Sequence, residues 1–82
     1  MVTSDFSGQD VVKALTKNEF RVIGRQGSHV RLRYDHPEND DDVRLVTVPM
    51  HDRIKGGTLR DIAEQSGAED FHAWCRWIEK HR

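Results

Sequence analysis

The chain has little cysteine, little proline and no long apolar run. The shortage of cysteine and the lack of an apolar run each exclude a class of protein. It has 82 residues, one cysteine and two prolines. One cysteine excludes an internal disulfide, and Cys75 lies on the apolar side of a helical pattern, so it is predicted to be a buried structural thiol. No apolar segment approaches the roughly 18 residues of a membrane span, and Met1–Phe6 lacks the basic and apolar regions of a signal peptide. These absences predict a cytoplasmic protein with no membrane partner.

Net charge is also small, but the charges are segregated along the chain. Thirteen Lys and Arg residues nearly balance fourteen Asp and Glu residues, leaving a formal net charge of -1. Four arginines and no acidic residue lie between Phe20 and Tyr34, whereas five acidic residues follow between Asp35 and Asp42. A near-neutral total therefore hides a basic face that could attract phosphate groups. The acidic segment is interpreted as a solvated loop, and a role in repelling nucleic acid from one edge is the alternative.

The length allows one small domain that buries roughly 60–65% of the surface of the unfolded chain. We predict a single domain over 1–82, with a core over 7–67 and a C-terminal helical extension over 68–82. Such a chain has no room for a large enclosed cleft. A functional site is therefore expected on an open surface, which suits a polymer or another protein.

Hydrophobic periodicity and turn residues predict the order of secondary structure. Ser7 and Asp10 form a capping-box signal for the first helix, and Thr58 is the predicted N-cap of the second. The predicted elements are a helix over 8–17, a strand from Phe20 ended by Gly24, strands over 29–35 and 43–48, the latter stopped by Pro49, and helices over 59–66 and 69–80. This order predicts an α+β fold of two layers, α-β-β-β-α with an extra C-terminal helix. In it, a three-stranded antiparallel sheet carries the helices on one face.

The segment 29–35 alternates between apolar and basic side chains. Its apolar set, Val30, Leu32 and Tyr34, is expected to face the core. The opposite face would then carry His29, Arg31 and Arg33. Arginine binds phosphate oxygens through a fixed fork of donors, and an imidazole can exchange a proton near neutral pH. The exposed face of this strand therefore suits phosphate chemistry.

Four segments in order make the chain resemble the HicA family of toxins, which are small mRNA interferases of toxin–antitoxin systems. The segments are Ser7–Leu15, Arg25–His29, Val46–His51 and Lys55–Ile62, and the resemblance covers about residues 7–67. It implies a fold like that of double-stranded-RNA-binding domains, an mRNA substrate and a HicB-type antitoxin as partner. The histidine of the family's Gly-Ser-His motif is held to be catalytic, which implies that role for His29.

RNA cleavage needs little from such a protein, because RNA carries its own nucleophile in the 2′-hydroxyl. We expect no metal and no cofactor. His29 would act as general base. The expected RNA-binding residues are Arg31, Arg33 and Lys55 as cations, Ser28 as an orienting hydroxyl, and Gly27 as a point of close backbone approach. His51 is either a second proton carrier or an ordinary turn residue.

Other functions are weighed against this one. Five histidines and many carboxylates suggest a metal site, but no metal-ligand spacing pairs them. A triad is rejected, since Ser28 and His29, as adjacent strand residues, point to opposite faces. Two alternatives stay open: a noncatalytic RNA-binding module on the same basic strands, and a protein-interaction domain built around Trp74 and Trp77.

Overall fold

The computed structural model describes residues 5–82, and its elements follow the predicted order. The helices are α1 (Gly8–Thr16), α2 (Gly56–Gln65) and α3 (Phe71–His81), and the strands are β1 (Arg21–Gln26), β2 (His29–Asp35) and β3 (Val43–Pro49). The α+β fold with three strands between helices is therefore confirmed. The expectation about a targeting segment depends partly on residues 1–4, which lie outside the described residues. Within residues 5–82, no helix is long and apolar enough to cross a membrane.

The three strands form one antiparallel sheet in the order β1-β2-β3. In its register Val30 pairs with Val48 and Leu32 pairs with Val46. These four side chains are buried, because they face the helices. Alternation along the strands leaves the opposite face of the sheet without a covering layer, and we call it the outer face.

The core lies between the sheet and the helices. Its buried apolar residues come from every element except β1: Phe6, Val11, Ala14, Leu15, Phe20, Val30, Leu32, Val46, Val48, Ile54, Leu59, Ile62, Ala63, Trp74, Cys75 and Ile78. The last three belong to α3, so the C-terminal extension completes the core. Cys75 is buried as predicted, and this burial raises the pKa of its thiol. Trp77 is half-buried against the core, in agreement with peripheral packing.

One predicted strand end is wrong. β1 does not end at Gly24 but continues to Gln26, because the β1–β2 ladder runs up to the hairpin turn, where Gln26 pairs with His29. The register shifts between Val22 and Gly24, so the glycine marks a bulge inside the strand. β3 ends at Pro49, one residue beyond the predicted last residue, with Pro49 opposite His29. A proline is tolerated there because an edge strand leaves some of its N–H positions unpaired.

The predicted start of the second helix is also wrong. α2 begins at Gly56, not after Thr58, and its N-cap is Lys55, whose side chain makes no capping hydrogen bond. The Lys55 carbonyl already accepts the first helical hydrogen bond, from the N–H of Leu59 at 2.8 Å. Burial of Ile54 and Leu59 in the core fixes the start of this helix in place of a side-chain cap. The other helix ends differ from the predictions by one or two residues.

Candidate functional site

A two-residue turn presents His29 at the start of β2. Gly27 and Ser28 connect the paired residues Gln26 and His29. Gly27 has a φ of 59°, whereas Ser28 is not among the residues with positive φ. Positive φ at the first loop position alone is the pattern of a type II′ turn, in which glycine is preferred. No atom lies within 4 Å of a Cβ built on Gly27, so the turn is open to an approaching molecule.

His29 and Arg31 both belong to β2 and lie on its outer face, and both side chains are exposed. Two residues along a strand are separated by about 7 Å. In the part of the chain that the structure describes, neither side chain has a hydrogen-bond or ion-pair partner. The exposed Ser28 hydroxyl is also without a partner there. The structure thus brings together an imidazole, a guanidinium and an open turn, all available to a ligand.

Arg33 faces the same way but is held by Asp35. Its Nε donates to Asp35 Oδ1 at 3.0 Å, and its Nη2 donates to the same oxygen at 2.9 Å. Arg21, which pairs with Arg33 across the strands, places Nη1 3.0 Å from Asp35 Oδ2. The hydrogen bond from Arg33 and the positive charges of both guanidiniums hold the pKa of the Asp35 carboxyl below its usual range. A phosphate approaching Arg33 would have to compete with this carboxylate.

Sequence reasoning placed Asp35 at the end of the second strand and in the acidic segment, but missed this contact. The signal was present, because alternation along β2 puts Asp35 on the same face as Arg33, two positions away. The outer face therefore has two parts. We call the part with the Gly27–Ser28 turn and the side chains of Gln26, His29, Arg31 and Thr47 the His29 end. The Asp35 end is the part with the side chains of Arg21, Arg33, Asp35, Val43 and Leu45.

The backbone that leaves β3 supports the His29 end. The N–H of Met50 donates to the carbonyl of Ser28 at 2.6 Å, and the N–H of Gly8 donates to the carbonyl of His51 at 2.9 Å. A Cβ on Gly8 would lie only 2.7 Å from Met50 Cα, so a glycine is needed where α1 begins. Sequence reasoning missed this role of Gly8. His51 is exposed, and its backbone is fixed beside the first turn of α1.

Lys55 is exposed at the beginning of α2 and not on the sheet. The six residue-to-residue steps from Pro49 to Lys55 span at most about 22 Å, which limits the distance of Lys55 from the end of β3. The first turn of α2 contains no acidic residue. Arg53, two residues before Lys55, forms an ion pair with Asp5, with 2.7 Å between Arg53 Nε and Asp5 Oδ1. Lys55 is thus a second exposed cation, contributed by a different element from Arg31.

The remaining candidates lie elsewhere or form no site. Trp74 is buried in the core, and with Trp77 it lines a shallow depression on the helix side of the domain, away from the outer face. Among residues 5–82, no group of three His, Cys, Asp or Glu side chains could hold a metal ion.

Comparison with known families identifies the family of the chain. The fold and the open outer face define a small α+β domain that carries a histidine and a cation on one face of its sheet, opposite the helices. The family model described as HicA toxin of bacterial toxin-antitoxin matches residues 8–68, from the first residue of α1 to just beyond α2. The chain therefore belongs to the HicA toxin family, and it is the toxin of a toxin–antitoxin system whose partner is an antitoxin. No curated protein and no solved structure matches the chain.

Proposed function

We propose that this toxin is an endoribonuclease that cleaves mRNA without a metal ion, with His29 as its general base. The observation that carries the proposal is the exposed His29 beside Arg31, neither of which has a side-chain partner among residues 5–82, within the segment matched by the toxin family. An open sheet face accepts an extended polymer, whereas a small molecule needs an enclosed pocket.

The chemistry needs one proton acceptor close to the ribose. His29 withdraws the proton of the 2′-hydroxyl as the 2′-oxygen forms a bond to the adjacent phosphorus. The bond from phosphorus to the 5′-oxygen breaks, and that oxygen takes up a proton from water or from His51. One product ends in a 2′,3′-cyclic phosphate and the other in a 5′-hydroxyl. General-base assistance of this kind typically contributes 10²–10⁴-fold.

Charge builds up on the phosphate during this step, and cations must stabilise it. Arg31 is the best placed, because it lies on the same strand face as His29 and pairs with no carboxylate among the described residues. Lys55 supplies a further cation from the start of α2. Gly27 and Ser28 bring backbone and a hydroxyl to the phosphate, since the turn is open. Arg33 contributes less, because Asp35 occupies its fork.

The partner that silences the toxin is proposed to be a protein antitoxin of the HicB type, which makes the system type II. An open site is blocked most directly by covering it. The antitoxin is therefore expected to lie over the outer face, including His29 and Arg31.

The test is a cleavage assay on single-stranded RNA with purified protein in excess EDTA. We expect wild-type protein to cut and to leave 2′,3′-cyclic phosphate or 3′-phosphate ends. His29→Ala should bind RNA but fail to cut it. Strict dependence on a divalent ion, or recovery of 3′-hydroxyl ends, would contradict the mechanism. Equal RNA binding by both proteins with no cutting by either would support a noncatalytic binding module.

A further inference from the structure

The exposed apolar side chains of the sheet lie on its two edge strands. Within residues 5–82, the large hydrophobic side chains that stay exposed are Val22 (51%) and Ile23 (44%) on β1, and Val43 (39%) and Leu45 (53%) on β3. Val22 pairs with the buried Leu32 and therefore lies on the helix side of the sheet. The register places Val43 opposite Asp35 and Leu45 opposite Arg33. The Asp35 end of the outer face thus carries two exposed apolar side chains, both from β3.

Val43 and Leu45 belong to the outer face itself. They alternate along β3 with Arg44 and the buried Val46, and Arg44 packs over the Tyr34 ring on the helix side, 5.0 Å from its centroid. Val43 and Leu45 therefore point away from the helices. They share the outer face with Arg33.

This end of the face is poorly suited to RNA. Asp35 accepts hydrogen bonds from Arg33 and forms an ion pair with Arg21, so the two guanidiniums share one carboxylate. Valine and leucine side chains offer no flat ring on which a base could stack, and they give no attraction to phosphate. Exposed aliphatic side chains beside satisfied charges are typical of surfaces that bind proteins.

We infer that the Asp35 end is the docking surface of the antitoxin and is separable from the RNA-binding His29 end. This inference depends on the proposed function only in its statement that the His29 end binds RNA. The antitoxin is the occupant because the family supplies such a partner, and because silencing His29 requires a protein on the outer face. From His29 to Asp35 the strand spans about 20 Å. One interface of ordinary size, about 800 Å² on each partner, covers both ends.

The two ends should then respond differently to salt. RNA binding at the His29 end releases counterions and weakens steeply as salt rises. Antitoxin binding through Val43 and Leu45 removes apolar surface from water and depends much less on salt. Affinity measured at two salt concentrations separates the two modes.

The experiment compares two double variants of the full-length toxin. Val43→Thr with Leu45→Thr removes apolar surface and keeps residues with good strand propensity. Val43→Ile with Leu45→Ile keeps the apolar surface and is the matched control. The probe is the purified cognate antitoxin of this toxin. Its Kd is measured directly by calorimetry, and cleavage of RNA in excess EDTA is measured separately.

We expect the threonine variant to cut RNA at the wild-type rate and to bind the antitoxin at least 10-fold more weakly. The isoleucine variant should resemble wild type in both assays. Wild-type antitoxin affinity in the threonine variant would overturn the inference. So would equal loss of RNA cleavage and antitoxin binding at an unchanged thermal midpoint. A wild-type dimer that only the threonine variant dissociates, with antitoxin affinity unchanged, would assign the surface to a second copy of the chain instead.

If the proposed function is wrong, the two assays give a different pattern of results. If wild-type toxin does not cut RNA, the calorimetric Kd values still report on the docking surface. The inference about the antitoxin is then judged on those values alone.

Discussion

The two ends of the outer face carry the same type of cation in different surroundings. At the His29 end, Arg31 is exposed and has no partner within residues 5–82. At the Asp35 end, Arg33 makes three hydrogen bonds to a carboxylate that also pairs with Arg21. Both arginines belong to one strand and one face. The difference teaches that an arginine on a basic face is available to phosphate only where the neighbouring strand positions bring no acid.

The largest expected effect comes from removing the imidazole at the His29 end. His29→Ala should lower the cleavage rate by roughly 10²-fold or more, since it removes the general base. The side chain is exposed, so the free energy of unfolding should change by no more than about 0.5 kcal/mol. Cleavage rate and thermal midpoint are measured together. His36→Ala, at the other end of β2, is the control and should cut normally. Near wild-type cleavage by a folded His29→Ala protein would end the catalytic assignment.

The next largest effect tests the support beneath the His29 end. Gly8→Ala forces a methyl group against the backbone of Met50, where a Cβ would lie 2.7 Å from Cα. Overpacking of this kind costs about 1–3 kcal/mol in the free energy of unfolding. Urea denaturation measures this loss. Gly56→Ala is the control, because no atom lies within 4 Å of its Cβ. Equal stability of both variants would show that the contact at Gly8 relaxes without cost.

A comparison of the two arginines tests the contrast directly. Arg31→Ala should weaken RNA binding and reduce the slope of log affinity against log salt by about 0.7, the value for one phosphate contact on a single strand. Arg33→Ala should change the slope less, because its guanidinium is already paired with Asp35. Fluorescence anisotropy of labelled RNA over a range of salt gives both slopes. Equal changes in the two variants would mean that RNA displaces the carboxylate.

Asp35→Asn should make the two ends more alike. It removes the carboxylate that holds Arg33 and Arg21, so both become available to phosphate. RNA affinity is expected to rise, and its salt dependence to become steeper, whereas His29 and the cleavage chemistry stay the same. The same anisotropy titration measures this change. Unchanged or weaker RNA binding would show that Arg33 needs Asp35 to hold its position.

The smallest effect concerns stability in acid. The pKa of Asp35 is lowered in the folded protein, so its charged form stabilises the fold at pH values above the unfolded-state value near 3.9. This contribution is lost as the pH falls through the lower folded-state pKa. Wild type should therefore exceed Asp35→Asn in urea midpoint at pH 6, and the difference should shrink below about pH 4. A difference that persists unchanged at pH 2 would contradict the ion-pair explanation.

Local sequence signals determined most of the elements. The alternation in β2 set which side chains face the core, because successive strand residues point to opposite sides. Ser7 and Asp10 fixed the start of α1, and the structure shows both hydrogen bonds of the capping box. The predicted helix and strand order is confirmed, and the matched family is the one that the four motifs resemble. The role of His29 stays a prediction of both the strand pattern and the resemblance.

Tertiary structure decided what local signals could not. The beginning of α2 is set by burial of Ile54 and Leu59 and not by a capping side chain, so Thr58 was a misleading signal. The end of β1 depends on its ladder with β2, which carries the strand past Gly24.

The division of the outer face into two ends was also decided by tertiary structure. Composition showed a run of arginines, and alternation placed Arg31 and Arg33 on one face. Only the pairing of three strands brought Arg21 and Arg33 to the same carboxylate, and only that pairing placed the exposed Val43 and Leu45 beside them. Contacts between residues distant in sequence depend on register, which is fixed by burial of one face of the sheet and not by local propensity.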